Sequence, residues 1–415
     1  MSGAAERVRA MPQSPANEQP AAGTSLTDRI RAVLPLIEAA VPRTTAERRV
    51  SDEVIEALRQ AGMWRVYVPR EYGGAEESVL EVVRAIRMVA RICPSTAWVI
   101  GVLSAHPFIT SLYSRRMQDE FWADGPDTLA STAGLPINRA RIVEGGIRVS
   151  GRFPFSSGSV NASWAMVGVS VPDVTATNSE RSRTGYFCMV PRSDYEIDDD
   201  WHVMGLGGTA SRTLVFDDVF IPDYRMEVSA SLTGRWSRGE GLHRGWLWNA
   251  GYGATIGTAL TPVSLGIADR MLEMITGKVR GRTVPGTRIP TNSVPNSMRL
   301  AESVHELRAI SLFWEDSVRR IEEKARAGEI PDEDDRADST SAAIYTQEVC
   351  TRLVDRLFAV AGGSSIRLDS PIQAFWRDAH AARSHIAAEW DAAAQGFGRH
   401  LLQLPPMARW GGANG

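Results

Sequence analysis

Cysteine and histidine are scarce in this chain, which has three Cys and seven His among 415 residues. The cysteines form no CxxC pair and no Cys/His spacing, so we expect neither a disulfide framework nor a metal site. No apolar run approaches the roughly 18 residues of a membrane span, and the N-terminus has no signal-peptide core. These absences favour a cytoplasmic protein that does not bind membranes.

An excess of charge of one sign is also missing. Lys and Arg number 46 against 49 Asp and Glu, which leaves a net charge of −3. We therefore expect no basic surface for nucleic acid. With 43% hydrophobic and 23% charged residues, the composition excludes disordered and fibrous classes, and the length predicts two or three structural units.

Nucleotide-binding and hydrolase motifs are missing as well. No Rossmann or P-loop glycine pattern lies at a strand-to-helix junction, and there is no GxSxG or HExxH. Residues 205–211 (GLGGTAS) are rich in glycine and lie before a predicted strand. Such a segment is typical of an ordinary turn, and it also offers backbone N–H groups and hydroxyls to a ligand. Residues 155–158 (FSSG) have the same two interpretations.

Hydrophobic periodicity is helical near the N-terminus. After a tail of mixed composition, the helical period starts at Ser25. Ser51 is predicted to cap a helix that Gly62 ends. Residues 83–105 predict an apolar, central helical stretch interrupted at Pro94.

The period changes in the middle of the chain and then becomes helical again. Alternating runs predict a compact antiparallel sheet or barrel, with a hairpin at 144–146 and an exposed loop at 172–184. The helical period then holds to the end, where 374–402 is predicted to be the last helix. The predicted organisation is a disordered tail (1–24), an N-terminal helical domain (25–133), a β-domain (134–228) and a C-terminal four-helix bundle (229–415).

Two histidines interrupt apolar or small-residue surroundings, His106 in SAHPF and His385 in RDAHAARSH. A lone histidine on a helix is more often a satisfied core residue than a catalytic one. From composition alone, both interpretations therefore stay open.

Four segments in order carry a family resemblance: REYGG (70–74), FSSG (155–158), WHVMGLGGTASRTLVFDDVFIP (201–222) and FWRDAHAARSH (375–385). With the helix, sheet and bundle order, they resemble the mostly α acyl-CoA dehydrogenase fold with its central β-domain. The resemblance is greater to its flavin-dependent monooxygenases, the oxygenase components of two-component hydroxylases such as 4-hydroxyphenylacetate hydroxylase, secosteroid-phenol hydroxylase and dibenzothiophene monooxygenase.

The last predicted helix separates the two branches of this fold. In many acyl-CoA dehydrogenases, the Arg-Asp pair of this helix precedes a Tyr-Glu-Gly-Thr stretch that contains the catalytic base. Here Arg377-Asp378 is followed by AHAARSHIAA, without glutamate or glycine. His385 lies about where the base would be, which resembles the monooxygenases.

The resemblance implies a reaction and its partners. A separate NAD(P)H:flavin reductase would supply reduced FMN or FAD, and O2 would add to it as a C4a-hydroperoxyflavin that hydroxylates an aromatic or polycyclic small molecule. The family also implies a homotetramer. The protein must keep water away from the reactive cofactor until substrate is bound.

The resemblance also implies residue roles. Ser157 matches the serine near flavin N5, and His385 the histidine near the C4a oxygen adduct. His106 lies where relatives place a polar residue beside the substrate, one that helps to ionise a phenol. Thr209 and Ser211 match a flavin-contacting Thr/Ser pair, although Ala210 replaces the glycine between them. A further candidate for binding the cofactor is Arg377, and Arg282 or equally Arg280 is a candidate for binding a flavin phosphate. Trp246 and Trp248, with Trp236, are candidates for lining an aromatic substrate pocket. The alternative is that these tryptophans pack the domain junction.

Other functions remain open at this point. The same flavin chemistry serves N- or S-oxygenation, as in nitrososynthases and dibenzothiophene monooxygenases. An acyl-CoA dehydrogenase with its glutamate elsewhere is another alternative. A non-catalytic ligand-binding protein is the third, and it would leave Ser157 and His385 without a purpose.

Overall fold

The architecture is helical at both ends with a β-sheet between them. The computed structural model describes residues 24–172, 183–234, 241–283 and 294–405. The predicted tail before Thr24, most of the predicted loop 172–184, and Trp236 lie outside these ranges. Five helices precede the sheet: α1 (Leu26–Glu47), α2 (Asp52–Gln60), α3 (Val79–Ala90), α4 (Pro94–Thr110) and α5 (Arg115–Phe121).

Local sequence signals set the ends of these helices. The Ser51 hydroxyl accepts a hydrogen bond from Val54 N, as expected for the cap of α2, and Gly62 follows the helix in the left-handed region. Pro94 begins α4 at the first helical position, which confirms the predicted interruption. Helix α4 is buried along nearly its whole length, as its apolar sequence predicts.

The backbone packs closely at Gly74, the second glycine of the REYGG segment. A Cβ at Gly74 would lie 1.7 Å from the Val68 carbonyl oxygen. No side chain fits there, so this motif reflects close backbone packing.

The β-domain is one mixed sheet of seven strands in the order β5-β6-β2-β1-β3-β4-β7. Residues 144–145 form the predicted hairpin turn between β1 and β2. The other pairings are also antiparallel except β1 with β3, which is parallel. The prediction of an antiparallel sheet is therefore wrong at one pairing, that of β1 with β3, which joins strands distant in sequence. The strands are β1 (Ala130–Val143), β2 (Gly146–Ser156), β3 (Trp164–Pro172), β4 (Arg183–Pro191), β5 (Glu196–Asp198), β6 (Arg212–Pro222) and β7 (Met226–Val228).

Among the described residues, seven helices follow the sheet, and the long ones form the predicted bundle. A single apolar core joins residues of α1–α4 to the bundle helices, whereas the sheet has a core of its own. None of the described helices is long and apolar enough to cross a membrane. The helices are α6 (Ser229–Gly234), α7 (Trp246–Thr255), α8 (Thr261–Arg280), α9 (Val294–Arg326), α10 (Glu333–Ala361), α11 (Pro371–Arg383) and α12 (Trp390–Leu401).

The prediction of one last helix over 374–402 is wrong. Helix α11 ends at Arg383 and α12 begins at Trp390. His385 between them has extended backbone angles, and its Nδ1 accepts a hydrogen bond from Ala387 N at 3.1 Å. This local bond competes with helix continuation, so His385 lies at a break between two helices.

Candidate functional site

Two turns distant in sequence meet where the sheet faces the helices. The FSSG turn ends β2, and residues 205–211 lead into β6. The Gly158 N–H donates to the Thr209 carbonyl at 2.8 Å. This bond sets the hydroxyls of the two turns side by side.

The hydroxyls of three predicted site residues form a continuous chain. Ser157 Oγ lies 2.7 Å from Ser211 Oγ, which lies 2.7 Å from Thr209 Oγ1. Thr209 Oγ1 in turn donates to the Leu206 carbonyl at 2.8 Å. Thr209 and Ser211 are buried and Ser157 is partly exposed, so Ser157 is the end of the chain that a ligand reaches.

Trp98 of α4 joins Ser157 to His385. Its indole Nε1–H donates to Ser157 Oγ at 3.1 Å. Its ring meets the His385 imidazole edge to face, with centroids 5.3 Å apart. The two residues predicted to lie on either side of the reaction centre are thus held by one buried side chain.

His385 is a neutral hydrogen-bond donor in this arrangement. Because Nδ1 accepts from Ala387 N, the proton of the neutral ring belongs on Nε2. The residue is open to solvent on one side, yet protein packs closely around the rest of the ring, and this desolvation lowers its pKa. An exposed but crowded ring is what the wall of a cleft provides.

Three of the seven described non-glycine residues with positive φ lie in the same two turns. Phe155, Leu206 and Ala210 have φ values of 65°, 53° and 44°, in the left-handed region that costs a side-chain-bearing residue about 1 kcal/mol or more. Ala210 occupies the position where the family pattern has glycine, and its backbone has the conformation that glycine adopts freely. Such strain is typical of sites whose geometry serves a ligand.

Helix α11 anchors the glycine-rich turn. Asp378 Oδ1 accepts from Leu206 N at 2.6 Å. Burial raises the pKa of Asp378 to about 6, although the Leu206 N–H and Arg377 oppose the shift. Arg377 Nε is buried and has no hydrogen-bond partner among the described residues, so Arg377 keeps hydrogen-bonding capacity for a ligand.

His106 lies elsewhere on α4 and is enclosed. Its Nδ1 is 2.6 Å from the Ala130 carbonyl, which only accepts, so Nδ1 carries the proton. Nε2 then accepts from the Thr132 hydroxyl at 3.0 Å. Burial lowers the pKa of His106 to about 4, and the ring is neutral with both nitrogens engaged. Thr132 is partly exposed, so the surface of the chain comes within one hydrogen bond of His106 there.

Trp246 and Trp248 do not join the Ser157 cluster. Trp248 Nε1 donates to Ser111 Oγ at 3.0 Å, and its ring stacks on Phe108. Phe108 is ten residues beyond Trp98, which is about 15 Å along α4. Trp246 lies under the Arg326 guanidinium, 3.9 Å from its ring centroid. These contacts correspond to the packing alternative stated for both residues.

Arg282 has a structural partner of its own. Its guanidinium donates to the carbonyls of Val360 and Ala361, each at 2.7 Å, at the C-terminal end of α10. A cation at this end of a helix is favourable. Arg280 is exposed at the end of α8. A flavin-phosphate contact by either arginine stays a prediction.

Sequence reasoning missed Trp98, Thr132 and Asp378 as parts of these arrangements. Trp98 carried no local signal, because an apolar helix with one tryptophan is ordinary core sequence. Asp378 was noted only as part of the Arg-Asp pair. The hydrogen bonds of Trp98 and Asp378 span 59 and 172 residues, a distance at which local patterns carry no information.

Comparison with known proteins identifies relatives of this chain. The model for the acyl-CoA dehydrogenase N-terminal domain matches residues 30–118, and that for the C-terminal domain matches residues 258–390. The oxygenase component of p-hydroxyphenylacetate 3-hydroxylase from Acinetobacter baumannii is 33% identical, over 92% of this chain and 90% of the relative.

Two further relatives are also named as a hydroxylase component and a monooxygenase. The oxygenase component of the FADH2-dependent resorcinol hydroxylase from a Rhizobium species is 31% identical, over 96% of this chain and 99% of the relative. The crystal structure of the HsaA monooxygenase from Mycobacterium tuberculosis superposes with a TM-score of 0.84 at 30% identity, over 92% of this chain and 98% of that one.

Proposed function

The chain belongs to the oxygenase components of two-component flavin-dependent hydroxylases with the acyl-CoA dehydrogenase fold, and from this membership we propose that it hydroxylates a small phenolic compound with reduced flavin and O2. The observation that carries the proposal is the pairing of Ser157 with His385 through Trp98. Two of the relatives are named as hydroxylases of the phenols p-hydroxyphenylacetate and resorcinol, which favours carbon hydroxylation over N- or S-oxygenation.

The described residues fit a flavin. Ser157 and His385 offer one acceptor and one donor around Trp98, and the partly exposed Arg377 has a buried nitrogen without a partner in the described part of the chain. Exposed apolar side chains lie in the sequence beside Ser157, His385 and the glycine-rich turn, and a planar aromatic cofactor packs on such side chains: they are Phe155, Ile386, Val203 and Met204. Reduced flavin, when bound, supplies the electrons that activate O2 for transfer of one oxygen atom to the substrate.

His385 serves as the proton-bearing group in this proposal. Its Nε2–H points away from the Ala387 backbone, so it can donate to an oxygen atom that gains negative charge during the reaction. The lowered pKa keeps the ring neutral at pH 7, so the group donates a hydrogen bond without adding a full charge.

His106 and Thr132 serve the substrate. A phenol hydroxyl would donate to Thr132 Oγ1, whose own proton is directed to His106 Nε2. By accepting the phenol proton in a hydrogen bond, the pair raises the negative charge on the phenol oxygen, which the oxygen shares with the ring, and the ring becomes a better nucleophile. In this proposal His106 acts through Thr132 and does not touch the substrate.

The partners follow from the same chemistry. The relatives are components of two-component systems, so a separate NAD(P)H:flavin reductase delivers the reduced cofactor. We propose a homotetramer located in the cytoplasm, where NAD(P)H supplies the reductase. Arg282 or Arg280 of one subunit would reach a flavin phosphate of another, and Thr209 and Ser211 would lie beside the flavin behind Ser157.

The direct test is turnover. The purified chain is combined with a flavin reductase, NADH, FMN or FAD, and p-hydroxyphenylacetate or resorcinol as probe phenols under ¹⁸O2. We expect a product with one ¹⁸O atom in the ring for at least one of a panel of phenols. NADH consumption that yields only hydrogen peroxide with every phenol, amine and sulfide tested would contradict the proposal. Bleaching of tightly bound oxidised FAD by an acyl-CoA would instead identify a dehydrogenase.

A further inference from the structure

The buried hydroxyls behind Ser157 form a chain with a preferred proton direction. Thr209 Oγ1 is 2.8 Å from the Leu206 carbonyl, an atom that only accepts. With the Thr209 proton committed there, Ser211 must donate to Thr209 and Ser157 must donate to Ser211, because each hydroxyl has one proton. Trp98 Nε1–H also donates to Ser157. Ser157 is then left with a lone pair, and no proton, for a ligand.

The opposite proton order is possible but has one fewer internal hydrogen bond. If Ser157 donated outward, Ser211 would donate to Ser157 and Thr209 to Ser211. The Thr209 and Leu206 oxygens would then remain 2.8 Å apart without a proton between them. Leu206 O would keep its bonds from Trp201 Nε1 and Thr209 N, so the loss is confined to one bond.

We propose that Thr209 and Ser211 are positioning residues that orient the Ser157 hydroxyl as an acceptor and thereby select the reduced cofactor over the oxidised one. The inference rests on the proposed flavin site at Ser157. Reduced flavin carries a proton on N5 and donates, whereas oxidised flavin has an unprotonated N5 that accepts. The favoured proton order matches the first form, and binding of the second form requires the chain to give up one of its internal hydrogen bonds.

This role differs from direct contact with the flavin. Thr209 is 1% exposed and Ser211 5%, and both hydroxyls are engaged with each other. Their effect reaches the ligand through Ser157. The family pattern of a Thr/Ser pair in this turn therefore has an explanation in the redox state of the ligand.

The test measures binding and needs no turnover. Dissociation constants of the chain are determined anaerobically for dithionite-reduced FMN or FAD and aerobically for the oxidised form. The dissociation constant of the oxidised form divided by that of the reduced form gives the preference for the reduced form. One net hydrogen bond corresponds to roughly a 2- to 10-fold change in that ratio. We expect Ser211→Ala and Thr209→Val each to lower the ratio by that factor, mainly through tighter binding of oxidised flavin.

Two control variants separate orientation from structural damage. Thr209→Ser keeps the hydroxyl and should restore the wild-type ratio. Ser159→Ala removes a buried hydroxyl that donates to the Ala210 carbonyl in the same turn but lies outside the chain, and it should leave the ratio unchanged. Circular dichroism and thermal melts confirm that each variant is folded. If Ser211→Ala misfolds, the Thr209→Val and Thr209→Ser pair decides alone.

The outcomes distinguish this inference from the proposed function. An unchanged ratio in folded Thr209→Val, or an equal fall of the ratio in Ser159→Ala, would overturn the inference. Neither result would affect the proposed hydroxylation by the wild-type chain. Failure of the wild-type chain to bind either reduced flavin would overturn the proposed function and the inference with it.

Discussion

Trp98 is the residue on which the proposed site depends most. It donates to Ser157 and contacts His385 from one buried position on α4. Ser157 and His385 lie 228 positions apart in the sequence, and the indole of Trp98 lies between them. Loss of the indole N–H therefore affects chemistry more than stability.

Trp98→Phe should uncouple the reaction. Phenylalanine keeps an aromatic ring beside His385 but cannot donate to Ser157. We expect hydroxylated product per reduced flavin to fall roughly 2- to 10-fold, with hydrogen peroxide rising to match. The control is Trp64→Phe, because Trp64 is equally buried and its Nε1 donates to the Ile55 carbonyl away from the site. An equal yield of hydroxylated product per reduced flavin in Trp98→Phe and wild type would show that the indole N–H has no part in the reaction.

His106 should make folding sensitive to acid. Its pKa is about 4 in the folded chain and about 6.5 in an unfolded one. The unfolded state therefore binds more protons between these values, and stability is lost as pH falls from about 6.5 to about 4, by about 3 kcal/mol in total. Urea unfolding at pH 7 and pH 4.5 measures this, and His106→Gln should reduce the difference.

The matched control for His106 is a histidine on the surface. His305 is exposed on α9, and His305→Gln should retain the wild-type pH dependence. A His106→Gln variant with the wild-type dependence would show that His106 is not the neutral, buried group described here.

At the scale of elements, sequence reasoning succeeded where the signal is local. The Ser51 cap and the turn at Gly145 depend on neighbours within a few residues, and both were predicted. The parallel pairing of β1 with β3 and the hydroxyl chain require contacts between distant segments, which no local pattern encodes. The break at His385 escaped prediction because Ser384 and Ala388 are compatible with a helix, and the competing bond is made by the imidazole.

Matches to the family pattern selected Ser157, Thr209, Ser211 and His385, and the structure places them close together through contacts that the pattern does not contain. The sequence left Trp246 and Trp248 with two alternatives, a substrate pocket or packing at the domain junction, and the contacts of both residues correspond to packing. The difference is physical. Composition marks a residue as aromatic, but only packing decides which of its neighbours it meets.

The contact between the glycine-rich turn and α11 should be sensitive to one methyl group. A Cβ at Gly205 would lie 2.3 Å from the Arg377 carbonyl oxygen, whereas a Cβ at Gly207 meets nothing within 4 Å. We expect Gly205→Ala to lower the free energy of unfolding by roughly 1–3 kcal/mol and to weaken reduced-flavin binding, because the turn must shift away from Asp378. Gly207→Ala should bind and unfold like wild type. Similar behaviour of the two variants in calorimetry and flavin titration would contradict this description.

At the scale of the whole molecule, apolar side chains remain exposed on the bundle of the single chain. Such patches mark surfaces that a partner covers, and the proposed homotetramer provides one. Those on α9 and in the turn before α11 include Val294, Met298, Leu312, Ile366 and Leu368.

Leu368→Asp tests whether assembly covers this surface. The side chain is 86% exposed, so the change should leave the fold of the single chain intact while placing a charge in the subunit interface. We expect light scattering to give four times the chain mass for wild type and for Leu368→Met, and a smaller species for Leu368→Asp. A tetramer that persists in Leu368→Asp would show that this turn lies outside the interface.

The central claim is that the site protects reduced flavin while it activates O2. Rapid mixing tests it most directly: the chain is loaded anaerobically with reduced FMN or FAD, mixed with O2 without substrate, and followed by the return of oxidised-flavin absorbance. We predict a return much slower than for free reduced flavin, and faster with more hydrogen peroxide in Ser157→Ala and His385→Ala. Reoxidation at the rate of free flavin with both cofactors would contradict the account.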